Sequence, residues 1–245
     1  MFPTICKIGP LTIYSYGLMI AVAAIVCTWL LSRDARHLGI SSDTISDLMF
    51  WIVVFGLIGA RMLYVLLNLD YFMPNPLEMV MIQNGGLAWQ GGLIIGTIAG
   101  LLFVKKRKLN LKTMLDLCAP YVALGESIGR VGCLLNGCCY GKEVGWGLYF
   151  PIHHARLHPT QIYTSLGLLS IFVILRWYQK QSESSTTGSV FVLYLVLASA
   201  LRYFVEFFRA DHVEILWGLS IFQLVCLLLL LTACYILLRF VKPKK

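Results

Sequence analysis

The sequence predicts an all-α integral membrane protein: a seven-transmembrane-helix bundle with its amino terminus outside and its carboxy terminus cytoplasmic. Three observations predict it: an apolar composition, apolar runs of spanning length, and basic residues gathered beside alternate ends of those runs. Apolar residues fill 58% of the 245 positions and charged residues 13%, with a mean hydropathy of +0.77. A soluble domain carries about 45–50% apolar and about 25% charged residues. A chain this apolar cannot hide its surface in one globular core, so lipid must solvate much of it.

The apolar runs place helices at about 12–32, 46–68, 87–104, 113–135, 160–178, 188–208 and 215–240, each near the roughly 20 residues a span needs. The first run is long enough to span and has only Lys7 before it, which reads as a retained helix rather than a cleaved signal. Gly85, Gly86, Gly91, Gly92, Gly96 and Gly100 make the third run glycine-rich. Small residues let backbones approach closely in a membrane bundle. No internal repeat stands out, and the one polar linker is the turn over residues 181–187. The whole chain, 1–245, therefore reads as a single membrane domain with outer-face loops at about 69–86, 136–159 and 209–215.

The net charge of +8 does not point to a nucleic-acid partner once the charges are located. Arg33, Arg36, Lys105, Lys106, Arg107, Lys108, Lys112, Arg176, Lys180, Arg239, Lys242, Lys244 and Lys245 fall on one side of the runs. Lys7, Lys142, Arg156 and Arg209 fall on the other. Thirteen basic residues against four set the orientation by the positive-inside rule. An odd number of spans requires the same arrangement. Trp29, Trp51, Trp89, Trp146, Trp177 and Trp217 fall near helix ends or in loops, as an interfacial belt would have them.

Of the twenty basic residues, three remain inside spans: Arg61, Arg130 and Arg202. An arginine at the bilayer centre costs roughly 2.5–3.5 kcal/mol even on the lenient scale, so it should face a cavity or a partner. Glu126 stands four residues before Arg130, and Glu206 four after Arg202, so each pair shares a helix face. Arg209 extends the second stripe outward. Internal pairing that only fixes helix packing would explain one such pair. Three arginines in different helices fit better with a site for an anionic phospholipid headgroup, because guanidinium matches phosphate oxygens in bidentate geometry.

These arginines lie in recognisable words. Residues 125–141, GESIGRVGCLLNGCCYG, resemble the signature of the prolipoprotein diacylglyceryl transferase family. Ser15-Tyr16-Gly17-Leu18-Met19, Gly59-Ala60-Arg61 with Tyr64, and Gly85-Gly86-Leu87-Ala88-Trp89-Gln90-Gly91-Gly92-Leu93 are also similar to it. So are His158-Pro159-Thr160-Gln161-Ile162-Tyr163 and Arg202 through Glu206-Phe207-Phe208-Arg209. Each word is weak alone; in this order they are specific. The resemblance implies transfer of the diacylglyceryl group of phosphatidylglycerol to the lipobox cysteine thiol of a prolipoprotein signal peptide. A thioether forms and glycerol phosphate leaves. It further implies a multi-pass protein of the bacterial inner membrane, with its active site towards the outer leaflet. By position, Arg130 and Arg202 correspond to the family's essential arginines, and Tyr16, Asn136 and Gly141 to other motif positions. Arg61, Glu126, Glu206 and Arg209 join them as expected substrate-binding residues, and Gln90 as a third catalytic position. No cofactor and no resident metal are expected.

Three departures stand out. Gln90 replaces the family's usual histidine, and a glutamine amide cannot serve as a base near neutral pH. His153, His154, His158 and His212 are the other candidates for the thiol proton. Cys133 replaces the signature's first asparagine, and Cys138-Cys139 its acidic residue and neighbour. Packing, a disulfide, a metal site and a transient acceptor are the readings open for them. Cys27, Cys118, Cys226 and Cys234 read as small hydrophobes in apolar runs. Thr164 stands where many members carry glutamate. A relative with another acceptor, or a non-catalytic lipid-binding or transport protein, are the alternative readings. The absence of an inverted repeat speaks against transport.

Overall fold

A computed structural model of the chain describes residues 2–8, 11–81, 85–181, 188–211, 215 and 218–241. His212, Trp217, Lys242, Lys244, Lys245 and most of the 181–187 turn lie outside the described residues. Among the described residues, five helical segments are long and apolar enough to cross a membrane: Ser15–Leu38, Ser42–Leu67, Thr160–Gln181, Ser189–Glu206 and Ile221–Leu238. Their outward side chains are apolar, as at Ile25, Leu66, Leu166, Phe204 and Leu228. Two further long helices, Trp89–Lys106 and Leu111–Asn136, carry more polar residues. The first begins Trp89-Gln90 and ends Lys105-Lys106; the second holds Lys112, Asp116, Glu126 and Arg130.

In chain order the elements are β1 (Thr4–Ile8), β2 (Leu11–Tyr14), α1 (Ser15–Ala35), α2 (Ser42–Leu67), α3 (Leu69–Phe72), α4 (Trp89–Lys106) and α5 (Leu111–Asn136). Then follow β3 (Glu143–Phe150), β4 (Ala155–Leu157), α6 (Thr160–Gln181), α7 (Ser189–Glu206) and α8 (Ile221–Val241). Two antiparallel hairpins, β1–β2 and β3–β4, were not expected. The first takes residues 12–14 out of the expected first helix, because Leu11–Tyr14 pairs back on Thr4–Ile8.

Local signals set the helix ends. Ser41 Oγ accepts from the Thr44 backbone N–H at 3.2 Å, starting α2 four residues before the expected position 46. Ser220 and Gln223 form a reciprocal capping box. The Gln223 N–H donates to Ser220 Oγ at 3.2 Å and the Ser220 N–H to Gln223 Oε1 at 2.9 Å. That box delays α8 to residue 221. At the end of α5, Cys138 N–H bonds the Cys133 carbonyl and Gly137 N–H the Leu134 carbonyl, with Gly137 at φ 75°. This Schellman closure turns the chain directly behind the signature helix.

The chain divides into two compact units, Met1–Cys27 with Leu115–Lys245, and Thr28–Met114. In the first, Ala119 and Ala123 of α5, Leu168, Ile171 and Leu175 of α6, and Val190 of α7 form a buried core. The Asp116 carboxylate caps α7 from α5, accepting from the Gly188 N–H at 2.5 Å and the Phe191 N–H at 2.8 Å. A carboxylate there meets both unpaired donors and the positive end of the helix dipole. Asp116→Ala is expected to destabilise the protein by about 1–3 kcal/mol, read as a lower thermal midpoint in detergent.

In the second unit, α2 and α4 pack through glycines. A Cβ on Gly59 would collide with the Gly91 carbonyl oxygen and Ile95, and one on Gly91 with the Gly59 carbonyl oxygen. Gly92 and Gly96 lie similarly close to the carbonyl oxygens of Gly56 and Ile52. Close approach of backbones is the packing that small residues allow in lipid. Gly91→Val is expected to cost at least about 1–3 kcal/mol by overpacking. Gly17→Ala, with nothing within 4 Å of the added carbon, should leave the thermal midpoint unchanged or raised.

Candidate functional site

The first unit gathers most of the expected residues around the end of α5. Glu126, Arg130 and Cys133 follow one another along one face of that helix, with Arg130 Nη2 3.1 Å from Glu126 Oε1. Tyr16, in the first turn of α1, comes within electrostatic range of Arg130 and of Cys133, Cys138 and Cys139. The close approach has a local cause: Gly132 leaves room for the Tyr16 backbone and the Met19 side chain. Asn136 closes α5 and hydrogen-bonds through its side chain with Cys138.

The last turn of α7 supplies the other charges. Glu206 is 2% exposed, and its Oε2 lies 2.8 Å from Arg202 Nη2 and 3.7 Å from Arg209 Nε. Its Oε1 accepts from Ser220 Oγ at 3.2 Å. The Arg202 contact meets the distance for an ion pair but leaves Oε2 without an aligned hydrogen bond. Charge rather than direction therefore holds that pair. Arg202 also sits over the Phe222 ring, 5.5 Å from its centre. It feels the charges of Arg209 and Arg130, so the two signature arginines share one neighbourhood.

Arg209 is held differently. Its Nε and Nη2 donate to the two oxygens of Asp211 at 2.8 and 2.6 Å. That fork draws the Asp211 carboxyl below the usual carboxylate range and raises the Arg209 guanidinium. By linkage, the pair's contribution is present above the ordinary carboxylate pKa and is lost as pH falls through the depressed one. Asp211 went unnoticed in the sequence, although its place two residues after Arg209 was visible.

Gly141 joins three segments. Its N–H donates to the His158 carbonyl at 2.9 Å, it bridges Arg209, and the next N–H, of Lys142, reaches the Phe208 carbonyl at 2.8 Å. A Cβ there would collide with the Phe208 carbonyl oxygen, His158 and Thr160. Only glycine fits. Of the histidines, His158 packs among Trp146, Phe208 and Tyr163, with Nδ1 3.2 Å from Tyr163 Oη. His153 lies against Tyr140 and His154 is exposed. Thr164 turns inward on its own helix, donating to the Thr160 carbonyl at 2.7 Å.

Cys133, Cys138 and Cys139 converge, their Sγ atoms within 4.8 Å of one another. The Cys139 thiol is drawn below its usual range, first by hydrogen bonds from Cys133 and Cys138 and then by Arg209 and Arg130, against the effect of burial.

The second unit holds Arg61 and Gln90. Arg61, 7% exposed, spends all five guanidinium N–H groups on backbone carbonyls. Nε donates to Met79 at 2.9 Å, Nη1 to Gly85 at 2.5 Å and Gly86 at 2.9 Å, and Nη2 to Glu78 at 2.5 Å and Met81 at 3.1 Å. Tyr64 and Phe72 flank it. All five donors are thus engaged by the loop over residues 78–86, which Arg61 anchors to α2. Gln90 is exposed in the first turn of α4, and its side chain makes no hydrogen bond among the described residues.

Residues 3–239 match the family model described as prolipoprotein diacylglyceryl transferase. Several bacterial proteins named phosphatidylglycerol–prolipoprotein diacylglyceryl transferase are similar over most of the chain. The one from Clostridium tetani is 34% identical over 86% of this chain and 86% of its own length. The one from Bacillus cereus is 34% identical over 95% of this chain and 90% of its own. The one from Bacillus mycoides is 36% identical over 84% and 80%.

Proposed function

The chain belongs to the prolipoprotein diacylglyceryl transferase family, and from that premise we infer that it transfers the diacylglyceryl group of phosphatidylglycerol to a prolipoprotein. The acceptor is the thiol of the lipobox cysteine in the signal peptide. Its sulfur forms a bond to the glycerol carbon as the carbon–oxygen bond to phosphate breaks. The products are a thioether and glycerol phosphate. The seven long helices cross the bacterial inner membrane with the amino terminus outside, and the chemistry faces the outer leaflet.

The observation that carries this reading is the shared neighbourhood of Arg130 and Arg202. Each meets its carboxylate at close range through Nη2, and the rest of the planar guanidinium fork suits phosphate oxygens. Negative charge grows on the leaving oxygen, and preorganised guanidinium groups in a dry site stabilise it. They also hold the donor so that the thiol meets its carbon in line. Glu126 and Glu206 aim the two arginines. Arg209, forked onto Asp211, and Gly141 fix the loop beside them. Tyr16 and Asn136 line the donor site, and the glutamine at position 90 cannot act as a base near neutral pH. The acceptor of the thiol proton is therefore a group other than residue 90.

Purified protein, phosphatidylglycerol and a lipobox peptide should yield a diacylglyceryl-peptide and an equal amount of glycerol phosphate. A peptide left unmodified while the lipid stays bound would overturn the transferase reading in favour of a non-catalytic lipid-binding role.

A further inference from the structure

The turn behind α5 brings three sulfur atoms together from a five-residue word and its helix. Three thiolates on a tetrahedral zinc ion, each at about 2.3 Å, stand about 3.8 Å apart. The Sγ atoms of Cys133, Cys138 and Cys139 lie within 4.8 Å of one another, so rotamer adjustments of less than an ångström or so would close the triangle.

The backbone that carries them is fixed by other groups. Cys138 N–H donates to the Cys133 carbonyl at 3.1 Å. Thr160 Oγ1 donates to the Cys139 carbonyl and Gln161 Nε2 to the Cys138 carbonyl, both at 2.6 Å. Thr160 and Gln161 are each 1% exposed, so buried side chains at the start of α6 grip the two loop cysteines from behind. Ligands held in this way lose little freedom on binding. Cys133 is buried, whereas Cys138 and Cys139 are half-buried, which leaves an ion a way in.

Charge is balanced as well. Three thiolates around a divalent ion carry a net negative charge, and Arg209 and Arg130 both act on Cys139. An all-sulfur set excludes oxygen-seeking magnesium and calcium and selects soft or borderline cations.

We propose that Cys133, Cys138 and Cys139 form a three-thiolate site for a thiophilic closed-shell cation, zinc(II) or copper(I). Binding releases the three thiol protons and forms three metal–sulfur bonds, with no change of oxidation state. The ion ties the end of α5, and with it Asn136, to the loop that leads to Gly141.

The test uses the full-length protein in detergent, purified with reductant, loaded with zinc(II) alone or copper(I) alone, and desalted. One ion per chain should be retained in at least one arm, and the arm that retains it identifies the metal. Cadmium loading should give the sulfur-to-metal absorption of three thiolates, a readout on the unaltered protein. Cys133→Ser, Cys138→Ser and Cys139→Ser should each weaken binding by more than about 100-fold, beyond what loss of a supporting hydrogen bond does. Cys27→Ser and Cys234→Ser should not change it. No retained ion in either arm, retention unaffected by the three serine variants, or a disulfide among the three that persists in reductant would each overturn the proposal.

Discussion

Replacing Arg130 by alanine is expected to lower turnover by about 10²–10³-fold with little loss of stability. The two effects separate because of where the partner lies. Glu126 is 42% exposed on its side chain, so removing Arg130 does not leave that carboxylate enclosed by protein. An exposed i,i+4 pair is worth no more than about 1 kcal/mol. What the variant loses, in the proposed mechanism, is a fork of donors for the leaving phosphate. Arg130→Lys keeps the charge but not the planar fork, and should recover only part of the rate. Initial rates of glycerol phosphate release, with the thermal midpoint of each variant, check this. A variant that keeps its rate would remove Arg130 from the reaction.

Glu206→Ala is expected to have the largest effect on stability, about 3–5 kcal/mol, together with loss of activity. Glu206 is buried at the end of α7 and meets Arg202, Arg209 and Ser220. Its removal leaves Arg202 with no carboxylate partner among the described residues and breaks the Ser220 contact from the start of α8. Desolvating an unpartnered guanidinium costs far more than the attraction a surface pair would forfeit. Glu206→Gln keeps a hydrogen-bond acceptor for Ser220 but removes the charge, so its midpoint should fall between wild type and Glu206→Ala. Arg202→Ala takes the nearest cation from Glu206 in turn, leaving it the 3.7 Å contact to Arg209 and the hydrogen bond from Ser220. It should therefore lose stability as well as rate, unlike Arg130→Ala. Chemical or thermal denaturation in detergent, run beside the rate assay, distinguishes these patterns.

Much of this was legible in the sequence, for identifiable reasons. Arg130 and Arg202 stood out because a charge within an apolar run must have a partner or a use, and their carboxylates lay at helical spacing. The glycines of α4 announced a close backbone approach, though not its partner, which the Gly59–Gly91 contact shows to be α2. What escaped depended on backbone groups or on distant segments. Arg61 looked like the other two, but its partners are five carbonyls between residues 78 and 86, which have no side-chain signature. Asp116 drew no notice in the sequence, because the helix it caps starts more than seventy residues away. The hairpins were missed for a different reason. Leu11–Tyr14 is apolar enough to extend the first helix on composition, and only the Gly9-Pro10 turn signal argued for a break. The start of α8 was open to view in Ser220 and Gln223, a capping box hidden in a longer apolar run.

The central claim is that Arg130 and Arg202 together hold the phosphate of the donor lipid. Native mass spectrometry of the detergent-purified protein, with phosphatidylglycerol and diacylglycerol in competition, tests it most directly. Wild type should retain phosphatidylglycerol in preference to diacylglycerol, and the double variant Arg130→Ala, Arg202→Ala should lose that preference while still binding both lipids through their chains. A double variant that keeps the wild-type preference would contradict the account and place the phosphate elsewhere.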